Sequence, residues 1–139
     1  MKKVLSVLCA AALCAGVLAG CGGSQAAGNK VEDGATTIRI GLSYELSGGV
    51  ATYGQSSVDG VKMAIDEINE AGGVNGCKFV LQTEDSQGDP DSAVSAFGKL
   101  MDDGMNVSLG CVLSGEAQSV ITAAKNDDLL IVTCTSSAK

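Results

Sequence analysis

Histidine and tryptophan are absent from this 139-residue chain, and it contains one proline, two phenylalanines and two tyrosines. Any core must therefore be aliphatic, and a proline-rich linker is excluded. Without histidine, neither Ser-His-Asp nor Cys-His catalysis can be assembled from this chain. The sequence also lacks the Gly-x-x-x-x-Gly-Lys phosphate loop and the Gly-x-Gly-x-x-Gly dinucleotide motif. We therefore expect a protein that is not an enzyme and carries no cofactor.

Basic residues are also few, with nine Lys and Arg against 16 Asp and Glu and a net charge of -7. Binding to nucleic acid depends on clustered Lys and Arg that neutralise phosphates, and here the basic residues are scattered singly. None of the six cysteines forms a Cys-x-x-Cys pair. We therefore expect neither a nucleic-acid partner nor a metal site.

The first twenty residues have the pattern of a secretory signal peptide. Lys2 and Lys3 precede an apolar run, Val4–Leu18, which is shorter than the roughly 20 residues that a membrane-spanning helix needs. We predict that residues 1–20 are a signal peptide and take no part in the fold.

The signal ends in Leu18-Ala19-Gly20-Cys21, which resembles the lipobox of bacterial lipoproteins. That resemblance implies that Cys21 is lipidated and holds an exported protein on the extracytoplasmic face of the membrane, in the periplasm or at the cell surface. The alternative is an ordinary signal peptide with an incidental Cys21. Residues 21–36 are rich in Gly, Ser, Ala and Asn, which predicts a flexible linker after the lipidated cysteine.

From Thr37 onward, strand and helix patterns alternate. Ile38, Ile40 and Leu42 recur with a period of two, as in a strand, and the segments that follow alternate between helical and strand periodicity. The predicted order is a strand from Thr37, a helix ending at Gly72 and Gly73, a strand at Cys77–Thr83, a helix capped by Asp89 and closed by Gly104, a strand at Val107–Leu113, a helix at Glu116–Asn126 and a strand at Leu129–Cys134.

This alternation predicts an α/β fold, a doubly wound, Rossmann-like parallel sheet flanked by helices. In such sheets ligands bind at the carboxyl ends of the strands. The loops of interest are therefore Tyr44–Tyr53, Glu84–Asp89, Leu113–Glu116 and Cys134–Ala138. Cys111 and Cys134 fall on consecutive predicted strands, which leaves open either a disulfide or two small buried side chains.

Four segments carry a resemblance to a known family: Ile38–Gly49, Ala51–Gly54, Gly60–Gly76 and Asp89–Val94. Together they resemble the start of the Leu/Ile/Val-binding proteins, the branched-chain amino acid receptors of ABC transporters with the type I periplasmic-binding fold. The resemblance covers roughly residues 37–137.

The resemblance implies a two-lobed clamshell that captures a small amino acid, of branched-chain type or a related amide, and delivers it to ABC permease subunits. Residues 37–139 would form most of the first lobe and none of the second, as in an N-terminal fragment. The same fold also serves as a receptor domain that signals ligand occupancy without transport. The lipobox favours import.

The family's first-lobe ligand residues correspond here to Ser114, Thr135 and Ser137, with Tyr53 beside the ligand side chain. Ser114, at the start of a helix, would hold an α-carboxylate with the following backbone N–H groups. Thr135 and Ser137 would face the carboxylate and the ammonium. The alternatives are a helix cap at Ser114, turn residues at Thr135 and Ser137, and surface packing at Tyr53.

The chain departs from the family's pattern at Cys134, where many relatives have proline, and at Gly115 and Glu116, where many have serine or threonine. Glu116 would place a negative charge near the proposed carboxylate site. The departures leave the solute open.

Overall fold

The structure is a computed structural model that describes residues 36–137. The predicted signal peptide, the linker up to residue 35 and Cys21 lie outside the described residues. Seven elements follow one another along the chain: β1 (Thr37–Tyr44), α1 (Ala51–Glu70), β2 (Lys78–Asp85), α2 (Pro90–Asp102), β3 (Val107–Ser108), α3 (Ser114–Ala123) and β4 (Leu130–Ile131).

The four strands form one parallel sheet in the order β2-β1-β3-β4. In register, Thr37 pairs with Lys78, Ile40 with Val107, and Val107 in turn with Leu130. The predicted doubly wound parallel sheet is confirmed.

Alternation along β1 sends side chains to two cores. Ile40, Leu42 and Tyr44 are buried on one face with Ile65 of α1 and Leu81 of β2. Gly41 and Ser43 point the other way, toward α2 and the residues that follow it. A Cβ at Gly41 would overlap the Met105 side chain that follows α2. The period-two pattern thus separates the face covered by α1 from the face covered by the later helices.

The second core lies between α2 and α3. Its buried residues from α2 are Ala93, Phe97 and Leu100, and those from α3 include Ala117 and Val120. Asp89 begins α2 as predicted, since its carboxylate accepts a 2.8 Å hydrogen bond from the Ser92 N–H and proline occupies the first helical turn.

The predicted strands Val107–Leu113 and Leu129–Cys134 are too long. Both shrink to two residues, although Leu109 still donates to the Gly41 carbonyl and Val132 to the Ser108 carbonyl. The chain turns at Gly110, which has a φ of 70° and packs so tightly that a Cβ there would come within 2.8 Å of the Val132 carbonyl oxygen. A left-handed residue cannot continue a strand.

Two helices begin earlier than predicted. Helix α1 begins at Ala51, so Tyr53 belongs to its first turn and not to a loop, and α3 begins at Ser114, two residues before the predicted start. Helix α3 also ends at Ala123, short of the predicted Asn126. Ile121 was expected to face the core but is 51% exposed, because α3 buries only a narrow face against α2.

Strand β2 is longer than predicted. It continues to Asp85, beyond the predicted end at Thr83.

The topology has one switch point. The connection after β1 leads to α1 on one face, whereas the connection after β3 leads to α3 on the other, and β1 and β3 are neighbours in the sheet. Their carboxyl ends therefore flank a crevice, which is where open α/β sheets bind ligands. Within residues 36–137, no helix combines the length and the apolar character needed to cross a membrane.

Candidate ligand-binding site

The crevice is bounded by three segments: the β1–α1 loop, the β3–α3 loop and the chain after β4. Three of the four candidate residues, Ser114, Thr135 and Ser137, lie on the last two of these segments.

Ser114 and Ser137 are in direct contact although they are 23 residues apart. The Ser137 N–H donates a 3.1 Å hydrogen bond to the Ser114 hydroxyl. Ser114 is the first residue of α3, so this bond places Ser137 beside the positive end of the helix dipole. Leu113 occupies the N-cap position, with no side-chain cap bond. Ser114 is thus the first helical residue, one position after the N-cap.

Thr135 is fixed to the same loop. Its hydroxyl donates a 2.6 Å hydrogen bond to the Val112 carbonyl oxygen. A threonine hydroxyl that donates one bond can still accept others, so Thr135 remains competent to accept from an ammonium. Together with the close approach of Gly110 to Val132, these bonds hold the β3–α3 loop against the chain that follows β4.

Tyr53 stands on the other side of the switch point, in the first turn of α1. It is 69% exposed, and its backbone N–H donates to the Val50 carbonyl. The first turn of α1 therefore holds the Tyr53 backbone in place, and the phenol side chain is exposed to solvent.

Asp85 positions the β1–α1 loop, a role that the sequence alone did not suggest. Its carboxylate accepts hydrogen bonds from the N–H groups of Leu46, Ser47 and Gln87 and from the Ser47 hydroxyl, at 2.6 to 3.2 Å. Partial burial acts to raise the pKa of Asp85, but the bonds from Ser47, Gln87 and Leu46 outweigh it and lower that pKa. The β1–α1 loop is thus anchored to the end of β2.

Two carboxylates lie beneath the site. Glu45, directly after β1, is 0% exposed, and Glu116, in the first turn of α3, is 1% exposed. Sequence reasoning missed Glu45, although an acid directly after the buried residues Leu42 and Tyr44 was a signal that could have found it. Glu116 was predicted to bring negative charge to the site, but its carboxyl is buried in the protein and does not reach the surface.

The pKa of Glu116 is raised. Burial is the largest cause, the carboxylates of Glu45 and Asp89 add to it, and the nearby Ser86 hydroxyl and the backbone at Leu113 oppose it. A buried carboxyl among other acids favours its neutral form.

The cysteines do not form the disulfide that the strand pattern left open. Cys111 and Cys134 are both free thiols, the first buried and the second exposed. Burial raises the pKa of Cys111 to about 12, and the nearby Glu116 adds to the rise. Of the two cysteines, only Cys111 fits the expectation of a small buried side chain. Within residues 36–137, no group of three or more acidic, cysteine or histidine side chains is placed to hold a metal ion.

Comparisons with known proteins agree with this architecture. The Leu/Ile/Val-binding protein BraC3 of Rhizobium johnstonii is 42% identical over 101 residues, which are 73% of this chain and 28% of that protein. The leucine-, isoleucine-, valine-, threonine- and alanine-binding protein of Pseudomonas aeruginosa is 36% identical over 104 residues, 75% of this chain and 28% of that protein.

Among solved structures, the substrate-binding protein LivJ of a branched-chain amino acid transporter from Streptococcus pneumoniae, in complex with isoleucine, is similar with a TM-score of 0.66 and 29% identity. The similar part is 69% of this chain and 28% of LivJ. The chain thus spans about 28% of the length of these relatives. A family model described as periplasmic binding protein matches residues 37–139. The chain belongs to the periplasmic binding protein family.

Proposed function

We propose that this chain supplies the first lobe of an extracytoplasmic receptor that captures a small amino acid, of branched-chain type or a related amide, for an ABC permease. The observation that carries the proposal is the hydrogen bond from Ser137 to Ser114. It joins the two loops at the carboxyl ends of β3 and β4 at the start of α3. The relatives named for leucine, isoleucine and valine binding support the solute class.

The chemistry of this corner suits a zwitterion. The first turn of a helix carries N–H groups without partners in the helix, and its dipole favours a carboxylate. In α3 that turn begins at Ser114, and Gly115 beside it is exposed. The Thr135 hydroxyl, already donating to Val112, is left as an acceptor for the solute ammonium. Recognition would therefore need binding and no covalent step, which fits a receptor that is not an enzyme.

Tyr53 completes the proposed site from the α1 side. Its exposed phenol offers an apolar face and a polar tip, a combination suited to covering a small solute side chain. In this arrangement Ser114, Thr135 and Ser137 hold the main-chain groups of the solute, and Tyr53 contacts its side chain.

The N-terminal segment completes the proposal. Export by residues 1–20 and lipidation at Cys21 would place the receptor at the membrane without a spanning helix, with residues 21–36 as the tether. Radiolabelled palmitate incorporation tests this directly. Label should enter the wild-type chain in a bacterial host and be lost in Cys21→Ala, whereas Cys77→Ala should keep it.

Solute binding is tested by titrating the isotopically labelled chain with leucine, isoleucine and valine and following backbone amide signals by NMR. Binding-protein affinity comes from closure around the solute, so one lobe alone should bind only in the millimolar range. The expected shifts are confined to the amides at the start of α3 and to those of Thr135 and Ser137.

Ser114→Ala should weaken this response several-fold, because it removes the acceptor that positions Ser137. Ser56→Ala, an exposed serine on α1, is the matched control and should respond as the wild type does. An unchanged response in Ser114→Ala, or shifts confined to another surface, would contradict the proposed site.

A further inference from the structure

The two buried carboxyl groups beneath the site are not among the groups proposed to contact the solute. All four carboxylate oxygens of Glu45 and Glu116 are inaccessible to solvent and lack a hydrogen bond of ordinary length and angle. The Ser86 hydroxyl, also fully buried, lacks one as well, although it lies close enough to Glu116 to act on its pKa. Three polar side chains that need partners are therefore enclosed together at the carboxyl ends of β1 and β2 and the start of α3.

Two ionised carboxylates cannot remain in this arrangement without a large penalty. Each buried charge loses its hydration, and two like charges in a poorly polarisable interior repel one another. The charged groups that act on Glu116 are Glu45 and Asp89, and those that act on the nearby Cys111 are Glu116 and Glu45. All of these groups are acids, so none of them supplies a compensating positive charge.

We propose that Glu45 and Glu116 form a proton-sharing pair, in which the folded protein holds one proton between two carboxyl groups at neutral pH. The proton comes from solvent during folding. It removes one of the two charges and turns one carboxyl into a hydrogen-bond donor, which the other carboxylate accepts. The Ser86 hydroxyl can donate to the charge that remains.

Helix α3 stabilises that remaining charge. Glu116 lies in the first turn of α3, where the helix dipole favours a negative charge. One negative charge shared by the pair is thus supported, whereas a second is not. On the proposed function, the neutral partner also lowers the repulsion that a doubly charged pair would exert on a solute carboxylate at the same helix start.

The pair predicts a specific pH dependence. A carboxyl whose pKa is raised by folding contributes stability that is fully present below the ordinary glutamate pKa. That stability is lost as the pH rises through the raised value. Between these limits the folded chain binds one more proton than the unfolded chain. The folding equilibrium constant should then fall by about tenfold per pH unit on account of this pair.

The test measures urea unfolding of the full chain across the acidic to neutral range, for the wild type, Glu45→Gln and Glu116→Gln. Glutamine reproduces the shape of the protonated carboxyl and its donor, so neither variant needs the extra proton. In both variants the folding equilibrium constant should no longer fall steeply as the pH rises. It should equal that of the wild type at acidic pH and exceed it by about tenfold or more at neutral pH. Glu67→Gln, which removes the same charge from an exposed position on α1, should keep the wild-type slope.

A second measurement does not depend on any variant folding. Carbon NMR of the glutamate side-chain carboxyls in the wild type should show a signal that keeps its proton well above the ordinary glutamate pKa. Superimposable pH profiles for the wild type and both Gln variants, with every carboxyl titrating normally, would overturn the proposal. Loss of the slope in only one variant would also overturn it, since the proton would then belong to one residue alone. Neither result depends on solute binding, so the proposed function is tested separately.

Discussion

The Ser47 hydroxyl donates a 2.6 Å hydrogen bond to the Asp85 carboxylate, across the carboxyl ends of β1 and β2. The other oxygen of that carboxylate accepts from three backbone N–H groups, two of them in the loop that leads to α1. One acid at the end of β2 therefore fixes the path of the loop on one side of the crevice.

Asp85→Asn should destabilise the chain by about 1.5 to 3 kcal/mol at neutral pH, because charge-assisted bonds to the loop are lost. The pKa of Asp85 is lowered in the folded state, so its contribution is present above the ordinary aspartate pKa and disappears as pH falls through the lowered value. Urea unfolding should show that the free energies of unfolding of the wild type and Asp85→Asn differ at neutral pH and become equal at strongly acidic pH. Asp59→Asn, at an exposed position on α1, serves as the control; an equal loss in that variant would refute a specific role for Asp85.

Gly54→Ala should destabilise the fold by about 2 to 3 kcal/mol, since the added Cβ would overlap the backbone carbonyl of Glu45 and push α1 off the loop. Gly60 lies on the same helix with open space around it. Gly60→Ala should instead stabilise the chain by about 0.5 to 1 kcal/mol through helix propensity. Thermal or urea unfolding of the two variants measures the loss and the gain in stability. A Gly54→Ala variant as stable as the wild type would contradict the prediction, because it would show that α1 can shift freely.

Cys111 should resist alkylation in the folded chain, because its thiol is buried and its pKa is raised to about 12. Cys134 is exposed and should be accessible to iodoacetamide under the same conditions. Peptide mapping after native labelling, and again after labelling in urea, measures the difference. A Cys111–Cys134 disulfide in the unreduced map would contradict the free thiols of the structure.

Tyr44→Phe should cost about 1 kcal/mol at neutral pH, because the buried Tyr44 hydroxyl donates a 3.2 Å bond to the Leu109 carbonyl oxygen. Burial raises the pKa of Tyr44, so the stability tied to its neutral form is lost above the ordinary tyrosine pKa. When urea unfolding is measured at alkaline pH, the difference in free energy of unfolding between the wild type and Tyr44→Phe should therefore become smaller. Tyr53→Phe, at an exposed position, is the control and should leave the free energy of unfolding at neutral pH unchanged.

Local signals in the sequence were sufficient for much of the fold. The period-two pattern of β1, the Asp89-Pro90 helix start and the glycines after α1 and α2 each act through neighbours a few residues away. These signals correctly predicted a parallel α/β sheet. The predictions for residues 1–35, including the lipidation of Cys21, remain predictions.

The candidate site was predicted only in part. The structure places Ser114, Thr135 and Ser137 on adjoining loops, and their contact with a solute stays a prediction. Tyr53 was assigned to a loop and lies in a helix. Periodicity also failed at β3, where apolar residues continue beyond the point at which Gly110 turns the chain, and at β4, which ends at Ile131 although Val132 follows.

By itself the sequence determined the strand and helix order, the helix start at Asp89 and the exclusion of histidine chemistry, because composition and local pattern suffice for these. Only the tertiary structure decided that Ser137 bonds to Ser114, that Asp85 holds the β1–α1 loop, and that Glu45 and Glu116 are enclosed together. Each of these features joins residues distant along the chain, and burial and charge interaction depend on which elements pack together. No local pattern carries that information.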